Sequence, residues 1–108
     1  NAAAKFLVAL LGELGEVVCI GNLASAEARA ADFRNVIGIK EASGDICQMQ
    51  RILDNRPEGF LVLSGDDGMT LELMRRGGDG VISVAANAFP KRFMECVNYA
   101  KAGEFDRA

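Results

Sequence analysis

"NVIGIKEASGDICQMQRILDN", residues 35–55, decides the fold. Its first third is apolar and rich in β-branched Val36, Ile37 and Ile39, the composition of a strand. Alternation puts Val36, Gly38 and Lys40 on one face and Ile37 and Ile39 on the other. The remainder reads as a helix opened by Ser43 or Asp45. Its Ile46, Met49, Ile52 and Leu53 recur at helical spacing, which makes them core positions rather than a cofactor box. A strand that hands over directly to an amphipathic helix is one half of a βαβ unit.

The same unit recurs on both sides. Upstream, "EVVCIGN" (16–22) reads as a strand and "SAEARAADF" (25–33) as a helix capped by Ser25. Downstream, Pro57 and Gly59 punctuate, "FLVLSG" (60–65) reads as a strand, and "DDGMTLELMRRGG" (66–78) as a helix. Acidic residues at the start of that helix and arginines at its end suit the helix dipole. "GVISVAAN" (80–87) reads as a fourth strand, and Pro90 opens a last helix with Phe93, Cys96, Val97 and Ala100 on one face. The opening "NAAAKFLVALLGELG" reads as a helix capped by Asn1, with a strand at Phe6–Leu11 as the competing reading; periodicity does not resolve so short an apolar run.

Strands and helices thus alternate at a spacing of roughly 20–25 residues, the pattern of right-handed βαβ connections. The strands are apolar on both sides, as a sheet covered on both faces requires. The expected architecture is α/β: one domain over residues 1–108, with four βα units around a parallel sheet. The sheet would be half of a (β/α)8 barrel or a flavodoxin-like open sheet.

Composition narrows the function. Of 108 residues half are hydrophobic and a quarter charged, and twelve basic against fifteen acidic residues give a net charge of -3. No basic cluster offers a nucleic-acid footprint, and the longest apolar run is too short for a bilayer span. The chain has no histidine, which removes Ser-His and Cys-His nucleophiles and the commonest metal ligand. Cys19, Cys47 and Cys96 lack metal-ligand spacing and read as core filling in a reducing, cytoplasmic setting. No metal or cofactor is implied.

Ligands of parallel α/β sheets meet the carboxyl ends of the strands. Three such ends carry polar residues: Lys40 to Gly44, Ser64 to Asp67, and Ala85 to Asn87. A lysine is the unusual one, because an amine shielded from water loses its proton more readily and then attacks carbonyls. Gly38 leaves room beside its stem. "SGDDG" reads as a helix start capped by Asp66 or Asp67, not as an anion or metal site.

"NVIGIKEASGD", "LVLSGDDGMTLELMRRGGDGVISVAAN" and the helix after Pro90 closely resemble the C-terminal half of the dihydrodipicolinate synthase and N-acetylneuraminate lyase family of (β/α)8 pyruvate aldolases, from about residue 35 to 108. Residues 1–34 read as an unfamiliar or remodelled segment. The resemblance implies that Lys40 occupies the place of the lysine that forms a Schiff base with pyruvate or another small 2-oxo acid. It implies that Gly65 and Ile82 line the pyruvate pocket. It also marks departures: "GNLA" puts Gly21 where the family has a proton-relaying tyrosine, and the arginine-bearing loop that follows looks shortened. The family's Gly-Thr-Thr-Gly loop, which grips the pyruvate carboxylate, has no counterpart in the sequence. Two functions follow. In one, the chain is a truncated, recombined or engineered half-barrel that is not a competent enzyme by itself. In the other, it is an aldolase fragment that forms the Lys40 imine when another chain completes it. Either predicts a homodimer through the exposed sheet.

Overall fold

The computed structural model describes residues 9–10, 16–20 and 36–108, with side chains described from residue 36 onward. The elements run β1 (Ala9–Leu10), β2 (Glu16–Ile20), β3 (Val36–Glu41), α1 (Ile46–Asn55), β4 (Leu61–Ser64), α2 (Thr70–Arg75), β5 (Gly80–Val81) and α3 (Pro90–Lys101). Short 3-10 turns at Asp67–Met69 and Ala85–Asn87 precede α2 and α3. The strands form one sheet in the order β1-β2-β3-β4-β5. β2 to β5 are parallel, while β1 runs antiparallel to β2.

The α/β class stands, with a sheet one strand wider than expected. Ala9 and Leu10 are strand, so the helical reading through that apolar run is wrong there and the competing strand reading holds for those two residues. They pair antiparallel with Val17 and Glu16, which gives their backbone groups ladder partners. The helix expected at 25–33 and the cap at Asn1 lie outside the described residues.

The fourth expected strand is a second correction. "GVISVAAN" is strand only at Gly80–Val81, with one further ladder bond from Ile82 N–H to Ser64 O at 2.9 Å. Beyond it, side chains capture the backbone. The Asp67 carboxylate accepts from Ala85 N–H at 2.9 Å, and the Ser83 hydroxyl accepts from Ala86 N–H at 2.9 Å. Such local bonds compete with a ladder, and residues 85–87 close into a 3-10 turn.

The core sits between the sheet and the helices. Ile39 of β3 and Val62 of β4 pack with Met49 and Ile52 of α1 and Leu73 of α2, flanked by Leu53, Phe60 and Met69. A second cluster joins Met74, Val97 and Ala100, with Val81, Leu71 and Phe93 against it. The apolar positions read at helical spacing are therefore core, except Ile46, which is exposed at the first turn. Cys47 is exposed and Cys96 half-buried, so core filling fails for Cys47; the Cys19 side chain lies outside the described residues. Asp45 caps α1, accepting from Cys47 N–H at 2.8 Å and Gln48 N–H at 3.3 Å. Asp66, rather than Asp67, caps the next turn by accepting from Gly68 N–H at 2.8 Å.

Candidate active site

Sheet geometry sorts the strand residues. Ile39 and Val62 enter the helix-side core, and Glu41 reaches Gln48 of α1, so this face is the covered one. Alternation then turns Lys40 to the opposite face. There it sits in register with Leu63 of β4, which is paired in turn with Gly80 of β5. Gly65 and Ile82 lie one step past the ends of β4 and β5. Gly65 N–H donates to Glu41 O at 2.6 Å and Ile82 N–H donates to Ser64 O, so both extend the parallel ladders. The three residues singled out by the resemblance thus stand near the carboxyl ends of three successive strands of the sheet.

Lys40 and Gly65 are in contact. A Cβ built on Gly65 would lie 2.8 Å from Lys40 Cε and 2.6 Å from Ala42 Cβ. The lysine stem therefore lies across the glycine, just past the end of β4. Gly38 plays another part than the one expected. A Cβ there would meet Leu61 O at 2.7 Å and Leu61 Cβ at 2.8 Å, so its missing side chain admits the neighbouring strand, not the lysine.

Two carboxylates shape the surroundings. Glu41 is fully buried on the helix side; its Oε1 accepts from Ser43 N–H at 2.7 Å and from Gln48 Nε2 at 3.3 Å. Its Oε2 is buried without a partner among the described residues. Glu41 anchors the loop that leaves β3 directly after Lys40, a role that its sequence position alone does not disclose. Asp67 ties the loop after β4 to the loop after β5. The Ser83 hydroxyl and the Ala85 N–H hold its carboxyl below the ordinary carboxylate range, with the Val84 N–H adding to them. Tyr99 is on α3, and its hydroxyl accepts from Arg107 at 2.8 Å. Gly21 lies outside the described residues. Among the described residues no group of three or more His, Cys, Asp or Glu could hold a metal ion, and no helix is long and apolar enough to cross a membrane.

Four parallel strands with the described helices on one face, and a lysine near the strand ends on the other, define an α/β segment of the kind that builds (β/α)8 barrels. The model of the dihydrodipicolinate synthetase family matches residues 23–108, and the chain belongs to that family. The match starts upstream of residue 35, inside the segment whose sequence by itself reads as unfamiliar. A 4-hydroxy-tetrahydrodipicolinate synthase of Parabacteroides distasonis is 54% identical over 79 residues, covering 73% of this chain and 27% of that relative. The dihydrodipicolinate synthase of Thermotoga maritima superposes with a TM-score of 0.74 at 37% identity, over 89% of this chain and 36% of that one. The chloride-inhibited dihydrodipicolinate synthase of Acinetobacter baumannii, solved with pyruvate, gives a TM-score of 0.69 at 39% identity, over 76% and 28%. The chain spans about a quarter of the length of the curated relatives it matches.

Proposed function

We propose that this chain carries the imine-forming lysine of a pyruvate-dependent lyase or synthase, and that Lys40 is that residue. The neutral amine adds to the carbonyl carbon of pyruvate, and with one proton taken from solvent the carbinol oxygen leaves as water to give an iminium. The iminium draws electrons from the neighbouring methyl carbon, which releases a proton and becomes an enamine nucleophile toward an aldehyde-type partner. The observation that carries the reading is the placement of Lys40 on the face opposite the described helices, its stem across Gly65 at the end of the neighbouring β4. A relative with the same segment is known with pyruvate bound.

The capture step and the full reaction make different demands. Imine formation needs one placed amine, whereas carbon–carbon bond formation also needs a proton relay and a grip on the carboxylate. Acid–base help alone is worth on the order of 10²–10⁴ in rate. In this reading the 108-residue chain captures pyruvate slowly, and turnover requires groups supplied by further polypeptide. The test is incubation with pyruvate, borohydride reduction and peptide mass spectrometry. Lys91 and Lys101, exposed on α3, serve as internal standards. An adduct that concentrates on Lys40 and is lost in Lys40→Ala is expected. Labelling spread evenly over the lysines of a folded chain would sink the proposal.

A further inference from the structure

Gly65 has no backbone reason to be glycine. The described glycines with positive φ are Gly44, Gly59, Gly77 and Gly103; Gly65 is not among them. What excludes a side chain there is space. An ideal Cβ would fall 2.6 Å from Ala42 Cβ, 2.8 Å from Lys40 Cε and 3.1 Å from Glu41 O. The backbone cannot retreat, because Gly65 N–H is fastened to Glu41 O at 2.6 Å. Neighbouring strands hold the same line through the Lys40–Leu63 and Glu41–Ser64 register. The part free to move is the four-carbon lysine stem.

We infer that Gly65 is a positioning residue for Lys40: its bare Cα is the seat on which the lysine stem rests, and the seat fixes where the amine stands. This deepens the proposed function, on which its catalytic consequence rests, and it assigns Gly65 a role toward the lysine rather than toward the 2-oxo acid. Once Ala42 is trimmed to glycine, a methyl group at position 65 swings the stem aside at modest cost to folding, since the stem has other rotamers. It moves the amine, and a displacement of about 1 Å at a reacting atom costs on the order of 10²-fold in rate.

The experiment compares wild type, Gly65→Ala and the double variant Gly65→Ala/Ala42→Gly. The second change removes the Ala42 collision and leaves the one with the lysine stem. Circular dichroism and urea midpoints establish folding. Two readouts follow, both on the 108-residue chain. Trace acetylation with acetic anhydride, read as the Lys40 to Lys91 ratio, reports the setting of the amine whether or not pyruvate binds. Borohydride trapping with pyruvate reports its reactivity. The double variant should be folded, show an altered acetylation ratio, and trap pyruvate at Lys40 at least tenfold more slowly than wild type. Wild-type acetylation and trapping in the folded double variant would overturn the inference, because Ala42 would then account for the glycine. If the wild type itself shows no preference for Lys40 in trapping, the functional proposal fails; an altered acetylation ratio still upholds the seat, and an unchanged one removes it.

Discussion

Lys40 and Glu41 are chemical neighbours that the sheet sends to opposite faces, and each has its own consequence. Lys40 stands on the face opposite the described helices. Glu41 is entirely buried beneath α1, where it satisfies the Ser43 N–H and the Gln48 amide. Removing a buried acceptor strands its donors, at about 1–3 kcal/mol for each group left unpaired. Glu41→Ala is therefore expected to lower stability by at least that much in urea denaturation and to loosen the loop beyond Lys40. Asp67 sets a pH dependence. Its carboxyl is held below the ordinary value of 3.8 in the folded chain. Its contribution is complete above that value and is lost as the pH falls through the lower folded value. Wild type should therefore lose more stability between neutral and strongly acidic pH than Asp67→Asn does. Urea midpoints measured across that range check the difference, and parallel curves for the two proteins would count against the ties to Ser83 and Ala85.

Each helix is held by a different balance of local and long-range terms. The start of α1 is local: Asp45 caps it, and Ser43 in turn accepts from Asp45 N–H at 3.1 Å. Asp45→Ala should cost about 1 kcal/mol, the usual worth of such a cap, read from the urea midpoint. α2 is only six residues long, too short to persist alone, and depends on packing. Its Leu73 is fully buried against α1 and the sheet. Leu73→Ala should cost about 2–5 kcal/mol, several times the cap effect, because it leaves a cavity between three elements. The strands gain a fixture at their other end. Asp79 accepts from Arg56 at 2.7 Å and from Val62 N–H at 2.9 Å, joining the entries of β4 and β5.

Among the described residues, the helices pack on one face of the sheet. Both core clusters lie on the face of Ile39, Val62 and Val81. The opposite face presents half-buried Leu61, Leu63 and Ile82 around Lys40, and β5 ends the sheet after two paired residues. An apolar sheet face beside a strand edge that has no partner among the described residues favours association with another chain. The 108-residue chain is therefore expected to form a homodimer through this face. Sedimentation velocity over a range of concentrations should show a dimer, shifted toward monomer in Leu63→Glu. A monomer throughout that range would rule the dimer out.

The alternation of strands and helices, the caps and the apolar stripes of the helices were readable from residues 35–101, because they depend on neighbours a few positions apart. So was Lys40, since period-2 alternation sends it away from Ile39 without knowledge of any partner strand. The antiparallel β1, the early end of β5, the burial of Glu41 and the true neighbour of Gly38 were not readable. Each depends on contacts between residues far apart in the chain: Ala9 with Val17, Asp67 with Ala85, Glu41 with Gln48, Gly38 with Leu61. The sequence by itself determined the alternation of strand and helix from β3 to α3 and which face of β3 carries Lys40. Only the tertiary structure decided that Gly65 lies beneath Lys40, because strand register, and not local propensity, brings those two residues together.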